Sequence, residues 1–250
     1  MKQNGHVMVL PALNEAPALR LLLARVHRLK GTVPALADLH VIVVDDGSSD
    51  GTAAVAGTFP GTQVIRHPQN RGLASALKTG LSAAIGHVGP GCAVFVMDAD
   101  DTHDPAAIPL MLEALEAGTD VVIGSRFAAG GRERGIPWHR KVFARGAAAL
   151  MRITCGLAGV RDYTCGFRAY RPTVVRDVLS QDWVFDSRGF SVTVSLLLAA
   201  AKANSRIAEI PITVHYDRKP GKSAMRTIPT ILGTFEAART YRLQRRSVAS

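Results

Sequence analysis

Residues Val94-Phe95-Val96-Met97 run straight into Asp98-Ala99-Asp100-Asp101, an apolar stretch that ends in a cluster of carboxylates. A short apolar run of this kind reads as a buried strand. Side chains alternate along a strand, so extended geometry carried to the strand end aims Asp98 and Asp100 the same way. Two carboxylates on one face repel unless a cation lies between them. Hard divalent cations take oxygen ligands, and Mg2+ commonly binds one or two carboxylates together with substrate phosphates. The stretch therefore predicts a diphosphate site at the end of a central strand, with Mg2+ or Mn2+ bridged by Asp98 and Asp100. Asp104-Pro105, just beyond, has the form of a helix N-cap followed by proline at the first helical position.

Other strands are expected at His6 to Leu10, Leu39 to Val44, Thr62 to Arg66, Asp120 to Ile123 and Arg206 to Val214, with the central one at Cys92 to Met97. Between them, Leu19, Leu22, Leu23 and Val26, and later Ile108, Met111, Leu112 and Leu115, repeat at helical spacing. Gly72 to Ile85, His139 to Ile153 and Phe190 to Ala203 also read as helices, and Phe167 to Tyr170 alternates like a strand. The segment Arg126 to Trp138 is Gly- and Arg-rich and reads as a basic loop. Strands alternating with helices imply crossovers and a mostly parallel sheet, whose ligands bind outside the carboxyl ends of the strands. Three strands here end in polar loops, at Asn14-Glu15, Asp45-Asp46 and Asp98-Asp100.

Charge narrows the partners. The formal net charge is +10, and residues 126–152 and 216–250 each carry a net +6, leaving the remainder at −2. Basic patches beside an acidic cluster point to a phosphorylated substrate or an anionic membrane surface. There is no nucleic-acid motif and no aromatic interleaving, so nucleic acid is set aside as a partner. Three cysteines without a C-x-x-C pair indicate neither a disulfide framework nor a zinc site, which fits a reduced cytoplasmic setting. The N-terminal residues lack an apolar signal region, and the run around Val192 to Ala201 is too short to span a bilayer. Membrane contact is expected to be peripheral, on the inner face.

The loop Asp45-Asp46-Gly47-Ser48-Ser49-Asp50-Gly51-Thr52 can be a turn with a helix cap, or it can offer carboxylates to a nucleobase or ribose. Together with Pro11-Ala12-Leu13-Asn14-Glu15, Asn70-Arg71-Gly72, Asp98-Ala99-Asp100 and Gly124-Ser125-Arg126, it stands in the order and spacing of glycosyltransferase family two. Trp138-His139-Arg140-Lys141, Gly166-Phe167-Arg168-Ala169-Tyr170-Arg171, Ile210-Pro211-Ile212 and Arg218-Lys219-Pro220-Gly221-Lys222-Ser223 extend the likeness over about residues 6–225. Within that family the chain most resembles the dolichyl- and polyprenyl-phosphate mannosyl- and glucosyltransferases.

The resemblance implies a GT-A nucleotide-diphospho-sugar transferase fold, α/β, with a Rossmann-like, mostly parallel central sheet and flanking helices. It implies that Pro11, Ala12, Asn14, Glu15, Asp45, Asp46, Asn70, Gly72, Asp98 and Ala99 surround the nucleotide, and that Asp98 and Asp100 hold Mg2+ or Mn2+ with Thr102 as a third contact. It places Arg126, Arg140, Arg218, Lys222 and Ser223 toward phosphates, with Arg126 and Arg140 taking catalytic roles. Asp162 stands where the family often has an acceptor-side acid, as a general base or as the residue that orients its loop. The chain departs from the family pattern at Leu13, usually Tyr, at Thr193 and Ser195, where a carboxylate or carboxamide is usual, and at Ala224, usually Lys. These changes bear on sugar and acceptor identity more than on nucleotide binding.

The expected activity is an inverting, metal-dependent transfer of a hexose from a donor of the GDP-mannose or UDP-glucose type to a polyprenyl phosphate. Two other readings are the same donor chemistry with a hydroxyl acceptor on a lipid, glycan or small molecule, and a non-catalytic nucleotide-sugar-binding protein. Residues 1–225 form the expected transferase domain, and residues 226–250 a basic helix and tail without a transmembrane segment. In that tail Ile228, Ile231, Leu232 and Phe235 fall at helical spacing ahead of Arg239, Arg242, Arg245 and Arg246. Such a helix lies on an anionic membrane or packs on the core.

Overall fold

The computed structural model describes residues 5–136, 138–187, 189–218 and 227–246, apart from the side chains of residues 139, 140, 142, 143, 147, 227–232, 235 and 244–246. Arg140 as a side chain, Lys222, Ser223 and Ala224 thus lie outside the described residues, as do the side chains of Ile228, Ile231, Leu232, Phe235, Arg245 and Arg246.

The first half alternates strand and helix: β1 (Val7–Ala12), α1 (Ala16–Thr32), β2 (His40–Asp45), α2 (Thr52–Gly57), β3 (Thr62–Arg66), α3 (Leu73–Ile85), β4 (Val94–Val96), α4 (Ile108–Glu116) and β5 (Val121–Ser125). There follow β6 (Arg132–Arg134), α5 (Trp138–Cys155), β7 (Arg168–Tyr170), α6 (Pro172–Leu179), α7 (Ser191–Lys202), β8 (Ile207–Pro211), β9 (Thr213–His215) and α8 (Thr227–Arg246). Seven strands form one sheet in the order β3-β2-β1-β4-β7-β5-β8, with β4 at its centre. All neighbours are parallel except β7, which lies antiparallel between β4 and β5.

Both faces of this sheet are covered, which is why its strands read as near-continuous apolar runs. Met8, Leu10, Val41, Val43 and Phe95 face α1 and α4, whose Leu19, Leu22, Leu23, Val26, Ile108 and Met111 are all fully buried. Val7, Val9, Ile42, Val44 and Val94 face the opposite core with α3, α6 and α7.

Several expected boundaries move for identifiable reasons. β1 continues through Pro11 to Ala12 instead of stopping at Leu10. Val7 and Val9 bond toward β4, whereas Ala12 bonds toward β2 through the amide of Asp46. Pro11, two residues after Val9, therefore turns its N-H-less nitrogen toward a side that β4 has already left, so no ladder bond is lost. The single strand expected over Arg206 to Val214 is two, because Ile212 leaves the edge of β5 and passes to β6: its amide donates to Ser125 and its carbonyl accepts from Arg132. Within the segment read as a basic loop, Arg132–Arg134 forms β6 by pairing with β9, a non-local contact without local periodicity. Helix α6, not anticipated, buries Val174, Val175 and Val178.

Helix α8 packs on α7 and α5, and its Ala237, Ala238 and Tyr241 belong to the main core. No helix among the described residues is long and apolar enough to cross a membrane.

Candidate functional site

The site lies outside the carboxyl ends of β1, β2 and β4, where three loops are stitched together. The amide of Asn14 donates to Ser48 Oγ at 2.9 Å, and the Asn14 carboxamide oxygen accepts from the Ser49 amide at 2.9 Å. Glu15 donates its amide to Thr52 Oγ1 at 3.0 Å, and Ala16 donates its amide to Asp50 Oδ2 at 3.0 Å. Asp50 thus caps α1 from another loop, while the Glu15 side chain makes no cap bond of its own. Burial opposes ionisation of Asp50, but bonds from the Thr52 hydroxyl and from the amides of Ala16 and Thr52 outweigh it and hold its pKa below the usual carboxylate value.

The two acids expected at the nucleotide are buried and occupied by protein. Asp45, fully buried, accepts the Ser48 amide at 2.9 Å and faces Arg66 Nε at 3.3 Å. Asp46 accepts the amides of Arg71 at 2.9 Å and Gly72 at 2.8 Å, and pairs with His67 Nδ1 at 2.7 Å. Gly47, at φ 79, lies so close to the backbone of Gln69 and Asn70 that a Cβ would come within 2.5 Å of it. Asp45 and Asp46 therefore shape this wall, which leaves Asn14, Ser49, Asn70 and Arg71 exposed on it. Pro11 and Ala12 are buried beneath. A cavity of about 520 Å³ opens beside Gly72, between the start of α3 and Asp182, Phe185, Asp186, Ser187 and Gly189. Across it Lys78 meets Asp182 at 3.3 Å and lies 5.4 Å over the Phe185 ring. Arg71, exposed on the rim of this cavity, is a further candidate that the sequence motifs do not single out.

Asp98 and Asp100 do not lie on a strand, contrary to the alternation expected of them. β4 ends at Val96 and the chain turns through Ala99 and Asp100, with Asp101 left-handed at φ 63. The turn, not a shared strand face, sets their positions. Asp101 is buried and paired with Arg25. Asp100 accepts the Thr102 amide at 3.2 Å and the Thr102 hydroxyl at 2.7 Å, so the buried Thr102 orients Asp100. Asp98 lies over Gly166, where a Cβ would stand 3.0 Å from both of its oxygens; only glycine leaves that carboxylate its space. Among the described residues no group of three or more His, Cys, Asp or Glu side chains is arranged to hold a metal. Two partly exposed carboxylates suit a Mg2+ or Mn2+ ion whose remaining ligands are phosphate oxygens and water.

On the opposite side Arg126 is caged. Its Nε stands 3.2 Å from Glu133 and 3.4 Å from Asp162, and its terminal nitrogens donate to Tyr216 Oη at 2.8 Å and Thr164 Oγ1 at 2.9 Å. Burial opposes the charge, but Asp162, with Tyr216, Cys165 and Glu133, outweighs it, and the Arg126 pKa lies above the ordinary arginine value. Asp162 is fully buried, and its Oδ1 accepts from the amides of Thr164 and Cys165 at 3.2 and 3.0 Å. It orients the 162–165 loop and pairs with Arg126, rather than facing open space. Arg218 reaches the loop after β4 through Asp104 at 3.6 Å. Thr193 and Ser195 are buried in α7: the Thr193 hydroxyl donates to the Phe190 carbonyl, and Ser195 Oγ lies 2.6 Å from Ser187 Oγ.

His103 fills the space between these halves. Its ring nitrogens lie 3.4 Å from Thr102 Oγ1 and 3.5 Å from Cys165 Sγ, and its ring packs on Phe167. Burial pushes its pKa down to about 4. The unfolded chain, with an ordinary value near ~6.5, then binds this proton more readily than the folded one. The contribution of His103 to stability is therefore complete above that value and is lost as pH falls toward about 4. The wild type should lose up to about 3 kcal/mol more than His103→Gln between pH 7 and 4.5. Urea midpoints of the two proteins at both pH values measure this; parallel shifts would refute it.

The profile described as glycosyl transferase family 2 matches residues 8–179. The chain is 34% identical over 226 residues to the polyprenol monophosphomannose synthase of Mycolicibacterium smegmatis, covering 88% of this chain and 80% of that protein. It is 35% identical over 222 residues to the undecaprenyl-phosphate mannosyltransferase of Micrococcus luteus, covering 87% and 86%. Among solved structures it is similar to glucosyl-3-phosphoglycerate synthase from Mycobacterium tuberculosis in complex with Mn2+, UDP and glucosyl-3-phosphoglycerate. There the TM-score is 0.69 at 20% identity, with 95% of this chain and 80% of that one covered, a likeness of fold that agrees with GT-A. The ordered loops at the strand ends, the profile over most of the chain and these relatives lead to one statement: this chain belongs to glycosyl transferase family 2.

Proposed function

We propose that this enzyme transfers a hexose, with inversion, from a nucleotide-diphospho-sugar to a polyprenyl phosphate at the inner membrane face. The names of the two relatives above support the acceptor class and favour mannose as the sugar. The observation that carries the reading is the state of Asp162. A hydroxyl acceptor normally needs a base to remove its proton, worth about 10²–10⁴-fold in rate. Asp162 is buried, holds two loop amides and faces Arg126, so it is poorly placed for that work. A phosphate monoester, with a second pKa of about 6, is already an ionised nucleophile at neutral pH. It needs cations to position it, and Arg126, Arg140, Arg218 and Lys222 are the groups proposed for this, with the Ser223 hydroxyl as a further hydrogen-bond donor.

On the donor side, Asn14, Glu15, Asn70, Arg71 and Gly72 bound the nucleotide, with Asp45 and Asp46 holding these segments in place. Asp98 and Asp100 are the ligands for Mg2+ or Mn2+, which when bound neutralises charge on the donor diphosphate. Thr102 fixes the Asp100 carboxylate.

Two outcomes test the proposal. Transfer of labelled hexose into polyprenyl phosphate should have a flat rate profile above pH 7 in the wild type. In Asp162→Asn the profile should be lower but equally flat. Arg218→Ala should raise the acceptor KM about 10- to 100-fold, the scale of one lost charge-assisted hydrogen bond. A rate that climbs through an ionisation removed by Asp162→Asn, with label only in hydroxyl acceptors, would transfer the assignment to the hydroxyl reading.

The metal assignment is read separately by calorimetry. Mn2+ should tighten binding of the nucleoside diphosphate to the wild type and have no such effect on Asp98→Ala or Asp100→Ala. Affinity that is indifferent to EDTA in the wild type would refute it.

A further inference from the structure

One imidazole, that of His103, lies between the turn that carries Asp100 and the loop that carries Cys165, and it is 5% exposed. Its ring packs on Phe167 with the centroids 5.7 Å apart and the planes tilted by 56°. Nδ1 lies 3.4 Å from Thr102 Oγ1, and Nε2 lies 3.5 Å from Cys165 Sγ. Cys165 is itself anchored, because its amide donates to Asp162 Oδ1 at 3.0 Å. Thr102 is anchored at its other end, where both its amide and its hydroxyl reach Asp100 Oδ1. The polar groups thus form a buried row: Cys165, His103, Thr102, Asp100.

Counting protons along this row fixes the direction of each bond. A threonine hydroxyl has one proton to give and lone pairs with which to accept. The Thr102 proton goes to Asp100 Oδ1, a carboxylate oxygen at 2.7 Å, and so to the nearer and stronger acceptor. Toward His103 the same oxygen therefore presents a lone pair. The contact with Nδ1 closes as a hydrogen bond only when Nδ1 carries a proton. Burial keeps the ring neutral, so Nε2 is then bare and accepts. The group facing it has a proton to give: burial pushes the Cys165 thiol up to about 12 and holds it protonated. The opposite tautomer would set a bare Nδ1 against a lone pair of Thr102, and an unmet acceptor in a buried place costs free energy.

We infer that His103 is a positioning residue for the metal-side carboxylate: as the Nδ1–H tautomer it holds the Thr102 hydroxyl with its proton aimed at Asp100, and so fixes the Asp100 side chain. Cys165 selects that tautomer by donating to Nε2, and Phe167 supports the ring. The role rests on the assignment of Asp100 to Mg2+ or Mn2+ under Proposed function, whereas the placement of the proton does not. Hydrogen-bond partners behind a metal ligand orient it and tune its affinity for the ion.

Two measurements test this. The first is long-range proton–nitrogen correlation on the full chain labelled with nitrogen-15, at pH 7 without metal or nucleotide, with His103 assigned from its backbone. A proton on Nδ1 and none on Nε2 is expected. A proton on Nε2 alone, or on both nitrogens, would overturn the inference. This reading is made on the wild type and stands even where a variant fails to fold.

The second is calorimetry of GDP and of UDP binding with and without Mn2+. Asparagine sets its carboxamide nitrogen near the place of Nδ1, and glutamine sets its own near that of Nε2; both remove the ring. His103→Gln should reduce the gain in affinity from Mn2+ by about tenfold, the scale of a lost partner behind a metal ligand, with metal-free affinity unchanged. His103→Asn should retain most of that gain. A role in packing alone predicts equal losses in the two variants, and that result, or a full gain in His103→Gln, would overturn the positioning role. A wild type whose affinity for both nucleotides is indifferent to Mn2+ would instead overturn the metal assignment, and this role with it.

Discussion

The guanidinium of Arg126 sits where four segments of chain meet, and this side of the candidate site depends on it. It joins the end of β5, Glu133 of β6, Asp162 and Thr164 ahead of β7, and Tyr216 beyond β9. A buried cation costs free energy unless carboxylates and hydrogen bonds compensate it. Two acids and two hydroxyl oxygens do so here, drawn from three segments of chain. The requirement to neutralise one charge thus helps fix the relative positions of these loops. It also accounts for Asp162, whose carboxylate is consumed by this pairing and by the amides it holds. A site organised this way is better suited to a nucleophile that arrives already charged.

The donor side is ordered by the opposite device. Asp45 and Asp46 look like ligands in the sequence, yet both are buried and bind amides of neighbouring loops. Their work is to hold backbone in place before any ligand arrives, which lowers the ordering cost of binding. His67, wedged between Asp46 and Thr79 Oγ1, extends this support to α3. Asp98 and Asp100 differ from that pair in remaining partly exposed on a turn, with Gly166 leaving room over one and Thr102 aiming the other.

Much of the fold was legible in the sequence, because doubly covered parallel strands and amphipathic helices leave local periodic marks. The stripes of α1 and α4 and the strand Thr62–Arg66 appear where spacing puts them. The strand-end loops could likewise be located from strand ends alone. Hidden were features made by non-local pairing. β7 is inserted antiparallel between β4 and β5, and β6 exists only because β9 lies beside it. Hidden too was the division of labour among acids. Whether a carboxylate faces a ligand or a loop amide depends on turns such as Gly47 and Asp101, whose positive φ carries no periodic signal.

The central claim is that the acceptor is a phosphate monoester, already ionised, whose oxygen attacks the sugar without a general base and displaces the nucleoside diphosphate. The phosphorus spectrum of the reaction mixture tests it most directly. With a nucleotide-diphospho-hexose and polyprenyl phosphate, the acceptor's monoester resonance should convert to a phosphodiester resonance, in equal proportion to the nucleoside diphosphate released. Nucleoside diphosphate released alongside a glycosylated product, with the acceptor phosphorus still a monoester, would contradict the account.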